Sequence, residues 1–174
     1  MKNFNLLIST SRFNETNASA ELWFSLLTCG DKYPIINNLE VSGLISALTN
    51  LNAKEVIHKI KTILKADPKF FRYILKMIPI DFICETNIQV IKQIVENHYK
   101  EYISDENSFK ITLKRRNNDS IERENFIRVI ADIIDNDVNL SKPDIDIRFE
   151  FIGNTCGIVF LKPDDILKSV HKQD

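Results

Sequence analysis

The chain has 174 residues, of which 44% are hydrophobic and 27% are charged, and its formal net charge is −1. This composition predicts one globular domain or two small ones with a substantial core, and it argues against a disordered chain. The near-neutral charge excludes a uniformly basic nucleic-acid binder, so any anion site must be a local patch. Three widely spaced cysteines and the lack of a membrane-length apolar run predict a cytoplasmic protein without a disulfide framework, structural zinc or membrane contact.

The first half of the sequence alternates between strand and helix patterns. Strands are predicted at residues 5–10, 34–36, 44–48 and 72–84, and helices at residues 14–27 and between Asn52 and Asp67. Pro79 within the last of these strands predicts an edge or a bulge. The order strand, helix, strand, strand, helix, strand is that of a ferredoxin-like domain, which we place at residues 1–86.

The second half, residues 87–174, predicts a further α+β unit packed against the first. Helices are expected at 87–103 and from Pro163 to about Val170, and strands at 109–114, 144–151 and 157–161. Another helix is expected after Asp119 as N-cap, with Glu122 at the matching capping-box position.

The sequence contains no recognisable catalytic or cofactor-binding motif. The four glycines form no nucleotide-binding loop, and no serine or cysteine lies in a recognisable nucleophile motif. Asp144, Asp146 and Glu150 alternate with apolar residues, which predicts the solvent face of a strand rather than a metal site. We therefore expect no catalytic residue, no metal and no cofactor, and hence no enzyme.

Positive charge is concentrated locally. Residues 54–76 carry seven lysines and arginines against two acids, and residues 110–128 carry six against three. Residues 132–146 carry five aspartates against one lysine. Segregation of this kind lets a neutral protein keep a basic face, although a solvated helix face explains the lysines of residues 54–65 equally well.

Lys114, Arg115 and Arg116 occupy the position where the predicted strand ends before a helix. Guanidinium groups and free backbone N–H groups at such a helix start both suit phosphate oxygens. Residues 9–12, ending in Arg12, repeat the arrangement before the first helix, where simple helix capping is the alternative.

The second unit resembles a THUMP domain over roughly residues 87–170. The resemblance lies in the basic strand end at residues 114–117, the following residues 120–124, the N-L-x-x-P-D turn at 139–144, and Gly153, Gly157 and Pro163. It is strongest to the stand-alone THUMP proteins that serve as adaptors for tRNA cytidine acetylation. The first unit, with its NLLISTSR segment, is similar to the ferredoxin-like domain that accompanies THUMP domains, mainly in architecture.

This resemblance implies a non-catalytic tRNA-binding adaptor that presents tRNA to a separate tRNA cytidine acetyltransferase, with no DNA partner. The modified nucleotide would be a cytidine of the D-arm, and tRNA would lie in a groove between the two units. The residues expected to bind RNA are Arg12, Lys61, Lys65, Lys110, Lys114, Arg115, Arg116, Asn117 and Arg123.

Two alternatives stay open at this point. One is the RNA-binding part of a tRNA-modifying enzyme, of the methyltransferase or thiouridine synthase type, whose catalytic subunit is supplied in trans. The other is a protein-interaction module that docks through the acidic residues 132–146.

Overall fold

The computed structural model describes residues 3–119 and 121–169 of the chain. It forms two compact units, one built from the residues up to Ile80 together with those after Pro163, and the other from Asp81–Pro163. Its elements in chain order are β1 (Leu6–Thr10), α1 (Glu15–Cys29), β2 (Ile35–Asn38), β3 (Leu44–Leu48), α2 (Ala53–Ala66), β4 (Ile74–Pro79), β5 (Phe82–Glu85), α3 (Ile88–Tyr102), β6 (Phe109–Arg116), α4 (Arg123–Ala131), β7 (Ile145–Ile152), β8 (Thr155–Leu161) and β9 (Leu167–Lys168). Within the described part of the chain, no helix combines the length and the apolar character needed to cross a membrane.

The first unit has the predicted ferredoxin-like arrangement. Its sheet order is β2-β3-β1-β4-β9, and every neighbouring pair is antiparallel. Leu6 and Ile8 of β1 are buried against Leu22 and Leu26 of α1, because the two-residue period of the strand meets the helical period of α1 on one face. Asn52 caps α2, as expected, by accepting hydrogen bonds from the backbone N–H groups of the next turn.

The second unit is a four-stranded sheet in the order β5-β8-β7-β6, with α3 and α4 packed on one face. β6 and β7 run parallel, whereas β7–β8 and β5–β8 are antiparallel. Phe126 of α4 packs edge-on against Phe149 and Phe151 of β7, at centroid distances of 5.0 and 5.2 Å. Because β6 is the outer strand, its basic residues lie at an edge of the sheet.

The predicted helix from Pro163 is wrong over the residues that the structure describes. Residues 167–168 form β9, which pairs with Lys76 and Met77 of β4, and Val170 lies outside the described residues. Ser169 adds a backbone hydrogen bond to Leu75 of 3.0 Å, and Asp165 lies 3.2 Å from the Nε2 atom of His58 on α2. These long-range partners outweigh the local helix signal.

The predicted strand at residues 72–84 is two strands in two different sheets. β4 ends at Pro79, and the N–H of Ile80 donates to Asn5 in the first unit. The N–H of Asp81 already donates to Ile158 of β8, and β5 follows along the edge of the second sheet. Pro79 therefore marks a strand end, which suits a residue without a backbone N–H.

Candidate nucleic-acid interface

β6 carries the basic residues further than the sequence predicted. Its parallel pairing with β7 continues through Arg115, opposite Phe151, and Arg116, opposite Ile152. Both arginines therefore lie within the strand rather than after it. Since side chains alternate along a strand, Lys114 and Arg116 lie on one face of the sheet and Arg115 on the other.

Arg116 is tied to an acidic partner. Its Nη1 atom donates to Oε2 of Glu150 at 2.5 Å, and Nε of Arg148 donates to Oε1 at the same distance. Glu150 is fully buried, and 29% of the Arg116 side chain is exposed. The solvent-face prediction is therefore wrong for Glu150. Arg116 and Arg148 share the single carboxylate of Glu150, so the three side chains together keep one positive charge. The charge of Arg116 is nevertheless largely balanced by a buried carboxylate and is less available to a ligand.

Lys110 is also partly neutralised. Its Nζ atom lies 4.0 Å from Oδ2 of Asp146, its register partner on β7, and two-thirds of its side chain is buried. The other carboxylate oxygen of Asp146 is buried and has no hydrogen-bond partner within the described chain. Lys110 therefore partly balances the charge of a poorly solvated carboxylate. This pairing weakens the electrostatic attraction of Lys110 for a phosphate.

The loop between β6 and α4 is held from both ends by arginines. Nη1 of Arg115 donates to the carbonyl oxygen of Ile121 at 3.0 Å, and Nη1 of Arg123 donates to that of Leu113 at 2.9 Å. Arg115 and Arg123 remain exposed at the surface. These bonds bring the end of β6 and the start of α4 together.

Two asparagines shape the same loop. Asn117 adopts a left-handed conformation, with φ of +53°, and its side chain is exposed. The side chain of Asn118 is buried and donates to the carbonyl oxygen of Gly153 at 2.8 Å. Lys114, Arg115, Asn117 and Arg123 are all exposed at the end of β6 or around this loop, on both faces of the sheet, and we call this group of residues the basic tip.

The cap of α4 differs from the prediction. Glu122, not Asp119, is the N-cap, and its carboxylate accepts hydrogen bonds from the N–H groups of Asn125 and Glu124 at 2.6 and 2.7 Å. These two donors, followed by the nearby Arg115, hold the pKa of Glu122 below its usual value. The N–H groups expected to bind a phosphate thus donate to the protein's own carboxylate. The cations of the basic tip are therefore the groups left to bind phosphate. Ser120 lies outside the described residues.

The predicted residues of the first unit are distributed over two elements. Arg12 is exposed in the loop between β1 and α1, and Lys65 is exposed in the last turn of α2. Lys61 lies one turn before Lys65, but its Nζ atom donates to the carbonyl oxygen of Asp164 and lies 3.9 Å from its carboxylate. Arg12 and Lys65 are therefore the more available cations.

Sequence reasoning missed the inner support of the basic tip. Arg148 and Glu150 stand two apart on β7, which is the spacing that places two side chains on one face of a strand. That spacing is visible in the sequence, whereas the pairing of β7 with β6 that brings in Arg116 is not. Asn118 has no distinguishing local signal, because its partner Gly153 is distant in the chain.

Residues 85–161 match the family model of the THUMP domain. The second unit contains a THUMP domain. The matched residues include β6 and the whole basic tip.

Among curated proteins, the chain is similar to THUMP domain-containing protein 1 of Bos taurus, with 29% identity over 128 residues. The match covers 70% of this chain and 36% of that protein, so the chain spans about a third of the length of this relative. The human protein of the same name is 28% identical over 128 residues, with the same coverage.

Two solved structures show the same fold over nearly the whole chain. PH1313 from Pyrococcus horikoshii Ot3 has a TM-score of 0.70 and 17% identity, covering 92% of this chain and 55% of PH1313. A 4-thiouridine synthetase, solved in complex with RNA and ATP, has a TM-score of 0.52 and 13% identity, covering 95% of this chain and 42% of the synthetase. At these identities the likeness shows the fold alone.

Proposed function

We propose that this chain is a non-catalytic tRNA-binding adaptor that presents tRNA to a separate acetyltransferase for acetylation of a D-arm cytidine. The observation that carries the RNA-binding part is the basic tip of the THUMP domain. Lys114 and Arg115 at the end of β6 and Arg123 at the start of α4 are exposed there, on either side of a loop held by Asn118 and by the two arginines.

The geometry of the basic tip suits phosphate oxygens. Arg115 donates one hydrogen bond to Ile121 and keeps further N–H groups of its planar fork for a ligand. Because that bond already restrains the guanidinium, less side-chain entropy is lost on binding. Structured RNA is recognised mainly through shape, phosphates and 2′-hydroxyl groups, and Asn117 supplies an exposed amide for the last of these.

The other predicted cations contribute unequally in this proposal. Arg12 and Lys65 supply additional RNA contacts from the first unit, because both are exposed. Arg116, Lys110 and Lys61 contribute less, since each already faces an acidic group or a carbonyl oxygen of the protein. Truncation of these three residues is therefore expected to change stability as well as RNA affinity.

The adaptor role is supported by the resemblance of residues 114–117 and 139–144 to stand-alone THUMP proteins, and by the similarity to THUMP domain-containing protein 1. The test combines purified chain, tRNA and acetyl-CoA, with and without a tRNA cytidine acetyltransferase. We expect acetylcytidine to rise only when chain and acetyltransferase are both present, and to fall again with Lys114→Ala/Arg115→Ala. Acetylcytidine made by this chain alone would overturn the adaptor role.

The second candidate function is the RNA-binding part of another tRNA-modifying enzyme with a catalytic subunit supplied in trans. It is favoured by the fold shared with the 4-thiouridine synthetase, of which this chain covers 42%. Mapping of modified nucleosides in tRNA from cells lacking this protein separates the two. Loss of acetylcytidine alone supports the adaptor, whereas loss of a methylated or thiolated nucleoside supports the second candidate.

A further inference from the structure

The loop between β1 and α1 presents a phenylalanine to solvent. The side chain of Phe13 is 92% exposed, the largest exposure among the exposed large hydrophobic residues of the described chain. Its backbone has a φ of +69°, in the left-handed region that bulky side chains rarely adopt. Neither burial nor backbone preference therefore accounts for a phenylalanine at this position.

The loop is held firmly on both sides of Phe13. Before it, the N–H of Thr10 donates to the carbonyl oxygen of Gly43 at 2.9 Å. After it, the carboxylate of Glu15 accepts from the N–H of Gly43 at 2.6 Å and from the hydroxyl of Ser42 at 3.2 Å. The N–H of Gly43 holds the pKa of Glu15 below its usual value, so this clamp is intact at neutral pH.

Gly43 makes this close approach possible. It has a φ of +79°, and a Cβ atom at this position would lie 2.9 Å from the carbonyl oxygen of Thr10. The loop and the β2–β3 turn are thus in direct backbone contact. Four residues lie between these anchors, and the N–H of Asn14 donates to the carbonyl oxygen of Ser11 at 3.1 Å. Arg12 and Phe13 are consequently presented at the centre of a preformed turn.

An exposed aromatic ring beside a cation is suited to unpaired nucleic acid. A nucleobase stacks on an aromatic face, and a guanidinium group pairs with the adjoining phosphate. We propose that Phe13 stacks on an unpaired nucleobase of bound RNA while Arg12 contacts the neighbouring phosphate. This inference rests on the proposed RNA-binding function and adds a base contact, carried by the first unit, to the phosphate contacts of the basic tip.

The test compares two RNA probes, a hairpin with a short unpaired adenosine tail and the same hairpin with a blunt end. We expect wild type to bind the tailed hairpin more tightly. Phe13→Ala is expected to weaken binding of the tailed hairpin by roughly 5- to 150-fold, the range measured for loss of one stacking platform, and to leave the blunt hairpin unchanged. Arg12→Ala is expected to lower the salt dependence for the tailed hairpin.

Three further variants separate stacking from a structural role. Phe13→Trp should retain affinity because it keeps an aromatic face. Phe13→Gly should lose affinity for the tailed hairpin while raising the melting temperature, because glycine accepts the positive φ without strain. Tyr33→Ala is the matched control, since Tyr33 is another exposed aromatic residue of the same unit, at 86% exposure, and should bind both hairpins as wild type does.

The outcomes distinguish this inference from the proposed function. If wild type bound neither hairpin nor tRNA, the RNA-binding function itself would fail. If wild type bound RNA and Phe13→Ala bound both hairpins equally well, only the stacking inference would be overturned. Unchanged RNA binding together with loss of the acetyltransferase complex would overturn it as well and would assign Phe13 to a protein contact.

Discussion

Arg116 donates to the buried carboxylate of Glu150 at 2.5 Å, and this bond divides the three consecutive cations at the end of β6 into two roles. Arg116 and Arg148 are bound to the interior carboxylate. Lys114 and Arg115 are exposed. The sequence alone suggests that all three cations belong to one phosphate site. In the structure, two of them are exposed and the third is paired with a buried carboxylate.

Glu150→Gln is expected to lower the free energy of unfolding by about 3–5 kcal/mol, because it leaves the buried guanidinium of Arg148 without its counter-charge. Chemical denaturation monitored by circular dichroism measures this change. The matched control is Glu106→Gln, at an exposed position outside helices and strands, which should change stability by less than about 0.5 kcal/mol. Equal stabilities for the two variants would show that the ion pair is not a structural support.

Asn117→Gly tests whether an asparagine side chain contacts RNA. Glycine accepts the φ of +53° at this position without cost, so stability should stay within about 0.5 kcal/mol of wild type. Loss of the amide should nevertheless weaken tRNA binding, which a fluorescence-anisotropy titration measures. Undiminished affinity would remove Asn117 from the interface.

Asn118→Ala gives the opposite pattern in the neighbouring residue. It removes the buried hydrogen bond to Gly153 and should reduce stability by about 1–3 kcal/mol. Its effect on tRNA binding should arise only through loosening of the loop, so affinity should recover at lower temperature, where the loop is ordered. An affinity loss without any loss of stability would instead indicate direct contact with RNA.

Glu122 predicts a pH dependence of stability. Its pKa in the folded chain lies below the ordinary value of 4.5, because the N–H groups of Asn125 and Glu124 stabilise the charged carboxylate. The stabilisation is therefore fully present above the unfolded pKa and is lost as the pH falls through the lowered folded pKa. Urea unfolding of wild type and Glu122→Gln should differ most near neutral pH and converge in acid. A difference that stayed constant across this range would exclude the carboxylate charge as its source.

Local patterns predicted most of the fold. The short apolar runs of β1 and β3, the alternation in β7 and the helical periods of α1, α2 and α3 carry enough information to place those elements and the ferredoxin-like order. β9 could not be placed in this way, because residues 167–168 become a strand only by pairing with Lys76 and Met77. A partner so distant in sequence leaves no trace in the local pattern.

Sequence patterns placed the basic residues near the end of β6, but the contacts that those residues make could not be predicted. Alternation assigns Glu150 to the face of β7 opposite the helix-packed residues, yet it cannot tell whether that second face is exposed. The N-cap of α4 was also predicted at the wrong residue, because a spacing pattern does not show which side chain accepts the helical N–H groups. Asp119 and Glu122 have capping-box spacing, but Glu122 itself accepts the first helical N–H groups, so α4 begins later than the pattern predicts.

The measurement that tests the central claim most directly is tRNA affinity as a function of salt for wild type and Lys114→Ala/Arg115→Ala. Each phosphate contact contributes about 0.7–0.9 to the slope of log affinity against log salt, so the double variant should bind more weakly and lose roughly one to two from the magnitude of that slope. Lys142→Ala, an exposed lysine in the acidic segment of residues 132–146, should match wild type. Equal affinity and equal slope for wild type and the double variant would contradict the assignment of the basic tip to tRNA.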